Sequence, residues 1–326
     1  MIKDILEKAK EKKIAVIGDL ILDAYLFGEV ERISPEAPVP IVLENDIKYN
    51  LGGACNVALN LKTLGANVDI YGIVGKDKEA DILTKLLEDS KINIEGIIPL
   101  EDRPTTFKMR VIAKHQQILR IDREKTQWIE PQVEEVILSK IQKKHYDAVI
   151  FEDYNKGLLS KNLINKISKN FNNTFIAVDP KFLNFFEYKN ADLFKPNLKE
   201  LLKAFNTYSK YESIYELARK LKEKINAKIV LITLGERGSL LLNREGMWEI
   251  PALKREVYDV TGAGDTVIAI MTLLKILDLD DLSSALWANI AAGIEITKLG
   301  ASPVKKEELI NVEKEFEELR KNIRKL

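Results

Sequence analysis

The feature that most constrains the fold is a long alternation of apolar strand patterns with helix patterns. Short apolar runs such as Ile14–Asp19, Ala148–Phe151 and Ile229–Thr233 end at polar loops. Further strands are predicted at Val68–Val74, near Ile94, at Phe175–Val178 and at Leu193–Phe194, with helices over Gly52–Leu64 and Asp77–Asp89 and from Pro131, Ser160, Asn197 and Tyr211. Strands that alternate with helices form a mostly parallel sheet covered by helices on both faces, which predicts an α/β fold.

Two segments break this alternation. Arg32–Pro40 contains three prolines, so it is predicted to be a surface segment that leads into an edge strand at Ile41–Leu43. Thr105–Ile112 and Gln116–Asp122 have the pattern of a β-hairpin around residues 113–115. We interpret these strands as a small β-sheet lid, inserted at about residues 25–45 and 103–123 into a single domain that spans residues 1–326.

Composition excludes several classes of function. Lys plus Arg and Asp plus Glu both number 50 in 326 residues, so no general basic field attracts nucleic acid. One cysteine rules out an intrachain disulfide, and two histidines cannot form a His-rich zinc site. Charged helical patterns occupy Met1–Lys13 and Lys305–Lys325, and no apolar stretch has membrane length. We expect a cytoplasmic protein without membrane or nucleic-acid partners.

The stretch Asp259–Thr266 carries the clearest chemistry. Gly262 and Gly264 flank Ala263 just before an apolar helix, and the free N–H groups of a helix start attract phosphate. Asp265 would lie in the first helical turn, where a carboxylate could take a proton from an attacking hydroxyl. Together these features indicate phosphoryl transfer to an alcohol. The alternative is that Asp265 only caps the helix and the glycines only form the turn.

Other polar residues lie where a ligand would be expected. Asp19 and Asp23 follow the first strand, where they could hold sugar hydroxyls or simply be solvated. The pair Gly52 and Gly53 lets the backbone approach a ligand closely, and Asn56 would face the space so created.

The predicted hairpin carries a set of cations. Lys108 and Arg110 share a strand face by parity, and Arg120 could join them from the second strand. They could bind a substrate phosphate together with Lys181, or they could form an ordinary solvated strand.

Neither a P-loop motif nor a dinucleotide-binding glycine motif after the first strand is present. Instead, Gly52–Asn56, Asn197 with Glu200, and Asp259–Thr266 resemble the two signatures and the Asn-x-x-Glu motif of the ribokinase-like sugar kinases. The resemblance covers nearly the whole chain. Within that family the chain looks like the D-glycero-β-D-manno-heptose 7-phosphate kinase branch, in the segments Arg32–Pro40, Gln116–Asp122, Asp153–Gly157 and Asp179–Lys181.

The resemblance implies specific roles. Asp265 would be the catalytic base that activates the anomeric hydroxyl, and Gly262, Ala263 and Gly264 would form the anion hole. The implied contacts to ATP come from Asn197, Leu198, Lys199, Glu200, Thr233, Gly235, Gly238 and Asn289, with Glu200 acting on Mg²⁺ through water. The implied substrate contacts come from Asp19, Asp23, Gly52, Gly53, Asn56, Asp153 and Lys181, joined on the parity argument by Lys108, Arg110 and Arg120.

The activity so implied is ATP-dependent phosphorylation of heptose 7-phosphate to the 1,7-bisphosphate, a step towards ADP-heptose. Kinases of this branch are often fused to an adenylyltransferase, whereas this sequence has no His-x-Gly-His motif and ends in a charged helix, so we expect a separate adenylyltransferase. The resemblance also indicates a homodimer that pairs through the lid. Another acceptor, such as a fructose phosphate, ribose or a nucleoside, and a non-catalytic sugar sensor remain as alternatives.

Overall fold

A computed structural model describes residues 2–114, 116–207 and 213–326. Across these residues the strands are β1 (Lys13–Gly18), β2 (Leu20–Ile33), β3 (Pro40–Gly53), β4 (Asn67–Gly75), β5 (Asn93–Leu100), β6 (Thr106–Ala113), β7 (Gln116–Arg123), β8 (Ala148–Glu152), β9 (Phe175–Asp179), β10 (Leu193–Phe194), β11 (Ile229–Thr233), β12 (Ser239–Leu242), β13 (Met247–Ile250) and β14 (Arg324–Lys325). The α-helices are α1 (Ile2–Glu7), α2 (Ala54–Thr63), α3 (Lys78–Asp89), α4 (Pro131–Ile141), α5 (Lys161–Asn170), α6 (Leu198–Ala204), α7 (Ile214–Ile225), α8 (Ala263–Ile276), α9 (Asp281–Glu295), α10 (Lys306–Asn311) and α11 (Glu313–Arg320). None of the helices in these ranges is long and apolar enough to cross a bilayer.

The larger sheet confirms the predicted α/β architecture. Its parallel part runs in the order β5, β4, β1, β8, β9, β10, β11, and β12, β13 and β14 extend it as antiparallel strands. Strand β8 is buried at every position, as expected for a parallel strand covered on both faces. The register places Gly18 beside Glu152 and Glu152 beside Asp179, so the ends of three neighbouring strands meet at one edge.

Two hydrophobic cores lie on opposite faces of this sheet. Ile14 and Val16 pack into one core with α2, α8 and α9, whereas Ala15 and Ile17 pack into the other with α4, α5 and α7. This alternation follows from the two-residue period of a strand. Helix α8 is buried along almost its whole length, which explains the strongly apolar sequence that follows Asp265.

The second sheet has four strands in the order β3, β2, β6, β7 within the described ranges. Strands β2 and β3 form a long antiparallel hairpin, β6 pairs with β2 in parallel, and β6 and β7 form the predicted hairpin. His115, around which the hairpin was predicted to turn, lies outside the described residues. The edge strand predicted at Ile41–Leu43 is only the start of β3. Gly52 and Gly53 are the last residues of β3 and Asp23 lies in β2, so all three belong to strands of the small sheet.

The two ends of the chain differ from the predicted helices. The segment predicted as one helix, Lys305–Lys325, is divided into α10, α11 and the short strand β14, which pairs with β13. At the amino end α1 gives way to a 3₁₀ turn, and Lys13 already belongs to β1. Charge patterning indicated helix in both places but could not show where tertiary pairing would interrupt it. The predicted start of α7 at Tyr211 lies outside the described residues.

Candidate active site

The candidate site lies at the carboxyl edge of the parallel strands, where α8 begins. Asp265 is in the first turn of α8 and is 3% exposed. It accepts hydrogen bonds from Asn56 Nδ2 at 3.0 Å and from the Tyr154 hydroxyl at 2.7 Å. The helix N-cap is Gly262, which has no capping side chain, so Asp265 is not the helix cap and its carboxylate faces the site.

The surroundings of Asp265 tune its acidity. Burial raises the pKa of Asp265 to about 6, and the nearby Asp179 adds to the rise, while the hydrogen bonds from Asn56 and Tyr154 oppose it. A carboxylate with such a pKa is mostly ionised at neutral pH and is still basic enough to accept a proton in a transition state. The geometry therefore suits a general base.

Two further carboxylates lie next to this group. One oxygen each from Glu152, Asp179 and Asp265 lie within 4.8 Å of one another. Asp179 pairs with Lys195 at 2.7 Å, whereas neither oxygen of Glu152 has a hydrogen-bond partner among the residues described. Burial, and then the charge of Asp179, raises the pKa of Glu152 well above its usual range. Carboxylate oxygens with free lone pairs fit a hard divalent cation such as Mg²⁺.

The loop before α8 contains the residues that were predicted to form an anion hole. Gly262 has φ +90, and a Cβ there would lie 2.5 Å from Glu295 Oε1 and 2.7 Å from Asn56 Nδ2, so only glycine fits. A Cβ at Gly264 would instead lie 3.4 Å from Lys195 Nζ, which places that residue beside the acidic cluster. Ala263 begins the helix, and its N–H donates to the Val260 carbonyl oxygen at 3.4 Å, whereas the N–H groups of Gly264 and Asp265 have no backbone acceptor among the residues described.

The predicted sugar-binding residues lie where the chain passes from the larger sheet to the small one: Asp19 joins β1 to β2, Asp23 is in β2, and Gly52 and Gly53 end β3. Asp19 Oδ2 accepts from the backbone N–H groups of Tyr154 and Lys156, at 2.7 and 3.0 Å, and burial raises the pKa of Asp19 to about 7. A Cβ on Gly53 would lie 2.6 Å from the Asp19 carbonyl oxygen, and one on Gly52 would lie 2.2 Å from Asp23 Oδ2. Both glycines therefore let Asp19 and Asp23 pack closely against the chain, and the close approach of a ligand that the sequence indicated stays a prediction.

The cations of the small sheet share one face, as parity predicted, but each has an acidic partner. Arg110 lies opposite Arg120 and pairs with Asp23 at 2.6 Å. Both Lys108 and Arg120 pair with Asp122. Asp122 has the same parity as these cations and lies opposite Lys108, which the prediction of a cationic face did not take into account. Lys181 does not join this face, because it pairs with Glu200 and lies over the Tyr154 ring.

The predicted nucleotide residues form a second group along the same edge. Asn197 and Glu200 form a capping box at the start of α6, with Leu198 and Lys199 in its first turn, and Asn197 bridges to Thr233. Gly235 and Gly238 have positive φ in the turn between β11 and β12. Asn289 donates to the carbonyl oxygens of Ile250 and Pro251, which holds the chain after β13.

The structure shows contributors that the sequence reasoning did not assign. Glu152, Tyr154, Asp179, Lys195 and Glu295 all lie beside Asp265 or its loop. The first four stand at or just after strand ends, so their position was a usable signal. Asp153, which was predicted to bind substrate, instead accepts from the Asn155 N–H and the Tyr188 hydroxyl, and its substrate role stays a prediction.

Solved structures show that this arrangement is the ribokinase-like fold. Ribokinase from Thermotoga maritima superposes with a TM-score of 0.74 at 21% identity, over 93% of this chain and 99% of that one. Phosphofructokinase-2 from Escherichia coli, solved with substrates and products, gives a TM-score of 0.78 at 16% identity, over 94% and 99% of the two chains. At these identities the likeness establishes the fold alone.

Sequence comparison then gives the family. Residues 11–308 match the model of the pfkB family carbohydrate kinases, and the chain belongs to that family. It is 39% identical to the Bifunctional protein HldE of Aliarcobacter butzleri over 98% of this chain and 70% of the relative. It is 42% identical to the HldE protein of Sulfurimonas denitrificans over 91% of this chain and 63% of the relative. The chain thus spans about two thirds of the length of the curated relatives it matches.

The unpartnered Glu152 leads to a prediction about stability. Because the folded-state pKa of Glu152 is raised, folding stability is lost as pH rises from the usual pKa of a carboxyl group towards the raised value. At neutral pH we therefore expect Glu152→Gln to raise the free energy of unfolding by about 0.5–2 kcal/mol, measured by urea denaturation. The gain should shrink as pH is lowered below about 5.

Asp192→Asn provides the matched control. Asp192 accepts from the Ile176 N–H at 2.8 Å and pairs with Lys228 at 2.6 Å, so its charge is satisfied. This substitution should lower stability at neutral pH. A Glu152→Gln variant less stable than the parent at neutral pH would contradict the account of an uncompensated charge.

Proposed function

We propose that the protein transfers the γ-phosphoryl group of ATP to the anomeric hydroxyl of D-glycero-β-D-manno-heptose 7-phosphate. The observation that carries the proposal is the buried carboxylate of Asp265 beside the Gly262–Gly264 loop. The choice of substrate is supported by relatives of about 40% identity named HldE, a heptose-phosphate kinase and adenylyltransferase. An adenylyltransferase would then act on the product of this reaction.

The residues of the site divide the reaction between them. Asp265 accepts the proton of the anomeric hydroxyl as the oxygen attacks the γ-phosphorus, and the bond to the ADP oxygen breaks. The N–H groups of Gly262, Ala263 and Gly264 stabilise the negative charge on the transferred group. Asn56 and Tyr154 hold the base in place. Asp19 and Asp23, which Gly53 and Gly52 allow to pack closely, receive the sugar hydroxyls.

The nucleotide lies along the edge formed by α6 and the turn after β11. In this proposal Asn197, Leu198, Lys199, Thr233, Gly235, Gly238 and Asn289 line the ATP site. Glu200 would hold Mg²⁺ through water, with Glu152 and Asp179 next to it; the ion, when bound, neutralises phosphate charge. The free oxygens of Glu152 agree with this assignment.

The far end of the acceptor meets the cationic face of the small sheet. Arg110 is 12% exposed and its partner Asp23 is 5% exposed, so the pair is largely shielded from water. A phosphate dianion is a stronger partner for a guanidinium than one carboxylate. We therefore infer that the substrate phosphate takes over Arg110, with help from Lys108 and Arg120, and that Asp23 becomes free for a sugar hydroxyl.

The small sheet acts as a lid on a single kinase domain in this proposal. Its strands carry Asp23, Gly52 and Gly53, which are substrate-binding residues, so the acceptor is enclosed between the two sheets. Exclusion of water protects the phosphoryl group from hydrolysis. A cytoplasmic location, where ATP is abundant, belongs to the same proposal.

The role of Asp265 predicts a pH profile and a mutant phenotype. Because the base must be ionised, kcat should rise with pH through about 6, the pKa to which burial raises this carboxyl. Asp265→Asn should keep ATP and sugar binding, measured by calorimetry, and should lower kcat by about 10²–10⁴. Asp147→Asn, at the opposite edge of the sheet, is the control and should keep the kcat of the parent. A near-parental kcat in Asp265→Asn would refute the assignment.

The role of Arg110 predicts a loss that depends on the substrate. Losing a hydrogen bond to a charged group costs about 1.5–3 kcal/mol, so Arg110→Ala should raise KM for the heptose phosphate roughly ten- to a hundredfold and leave KM for ATP unchanged. The free heptose should be a poor substrate for the parent.

The comparison of phosphorylated with free sugar separates two roles of Arg110. If Arg110 binds the phosphate, Arg110→Ala lowers kcat/KM for the phosphorylated sugar alone. If Arg110 only supports Asp23, both sugars lose equally, which would refute the phosphate role. Arg123→Ala is the control, because Arg123 lies on the other face of the small sheet and pairs with Glu79.

Assembly through the small sheet gives a further prediction. Large apolar side chains on its strands are exposed, among them Ile33 at 61%, Leu43 at 65%, Leu119 at 46% and Ile121 at 50%. We propose a homodimer in which these sheets cover each other. Light scattering should show a dimer, and Ile121→Lys should give a folded monomer. The exposed Val136 of α4 provides the control Val136→Lys, and a monomeric parent would refute the proposal.

A further inference from the structure

A buried carboxylate lies directly behind the loop Gly262–Gly264, called the anion loop below. This carboxylate has no role in the reaction described so far. Glu295 is the last residue of α9 and is 0% exposed. Its Oε1 lies 2.5 Å from the point where a Cβ on Gly262 would stand, and Asn56 Nδ2 lies 2.7 Å from the same point. Glu295 therefore borders both the anion loop and the amide that holds the proposed base.

The hydrogen bonds around Asn56 fix how its amide is oriented. Asn60 Nδ2 donates to the Asn56 side-chain oxygen at 3.2 Å, and Asn60 Oδ1 accepts from the Val304 N–H at 3.2 Å. The Asn56 amide nitrogen therefore points towards Asp265, to which it donates one hydrogen. Its second hydrogen remains available for an acceptor on the side where Glu295 lies.

The charge state of Glu295 follows from what surrounds it. Neither of its oxygens has a hydrogen bond of ordinary geometry among the residues described, although the Thr266 hydroxyl and the Asn56 amide lie close enough to favour its ionised form. The charged groups that face it are Asp265 from α8 and Lys298, which itself pairs with Glu308 at 2.7 Å. Burial, reinforced by Asp265 and only partly offset by Thr266, Asn56 and Lys298, raises the pKa of Glu295 to about 8.

We propose that Glu295 is a positioning residue for phosphoryl transfer: as a neutral carboxylic acid it holds the Asn56 amide against Asp265 and keeps negative charge away from the Gly262 loop. The neutral acid offers a carbonyl oxygen to the second Asn56 hydrogen. An ionised Glu295 would place a negative charge immediately behind the loop that must stabilise negative charge, and would slow the reaction. This inference rests on the proposed roles of Asp265 and the anion loop.

Two substitutions at Glu295 test the proposal by kinetics, with whichever sugar phosphate the parent phosphorylates. Parent kcat should fall as pH rises through about 8, whereas the isosteric Glu295→Gln should keep parental kcat at neutral pH and lose this fall. Glu295→Ala removes the acceptor for Asn56, so kcat should drop about ten- to a hundredfold with little change in KM for ATP. The same fall above pH 8 in Glu295→Gln would overturn the proposal.

A control and a measurement without substrate complete the test. Glu134→Gln alters a buried glutamate of α4 that accepts from Asn162, and it should leave the pH profile unchanged. Because the pKa of Glu295 is raised from 4.5 to about 8 on folding, stability is lost as pH rises across that window. Glu295→Gln should therefore melt above the parent at about pH 9 and with it below about pH 4.5.

The melting comparison also separates this inference from the proposed function. If the parent phosphorylates no sugar phosphate, the proposed function fails, and melting alone still decides the charge state of Glu295. Equal melting temperatures of parent and Glu295→Gln at about pH 9 would show that the carboxylate is already compensated, which would overturn the inference.

Discussion

The rest of the site depends on how the Asp265 carboxylate is held inside the protein. Burial disfavours its charge, and the Asn56 amide and Tyr154 hydroxyl restore enough stabilisation for it to ionise near neutral pH. These two donors come from different parts of the chain, one from α2 and the other from the loop after β8. The α/β fold is what brings them together, because α2 and that loop both lie at the carboxyl edge of the parallel strands.

The same edge concentrates more negative charge than its cations balance. Glu152 and Glu295 are both buried without hydrogen-bond partners among the described residues, and Asp19 has one oxygen in the same state. This electrostatic cost opposes folding. The burial of apolar side chains in the two hydrophobic cores of the larger sheet offsets it. Buried carboxyl groups without hydrogen-bond partners are expected where a protein binds cations or moves protons. Their cost to folding stability is therefore consistent with a functional site at this edge.

The sequence predicted the architecture well because the strand patterns, the helix caps and the glycines before helices all indicated the same order of elements. Strand runs, caps such as Ser160 and Asn197, and the glycines before α2 and α8 all gave local signals that tertiary packing did not override. The misses have a common physical cause. Strand β14 and the far ends of β2 and β3 exist through pairing with distant strands, and the acid partners of Arg110 and Lys108 depend on sheet register.

Register also explains how the small sheet can influence the anion loop. Asp23 and Tyr25 lie two residues apart on β2, so they share a face. The Tyr25 hydroxyl reaches towards Asp259 Oδ2 at 3.5 Å, and Gly300, with φ +66, leaves room for that hydroxyl. Asp259 in turn accepts from the Thr261 and Gly300 N–H groups at 2.9 and 3.1 Å, which shapes the loop ahead of Gly262. One strand therefore contributes to the proposed sugar site through Asp23 and, through Tyr25, contacts the carboxylate that shapes the loop of the proposed anion hole.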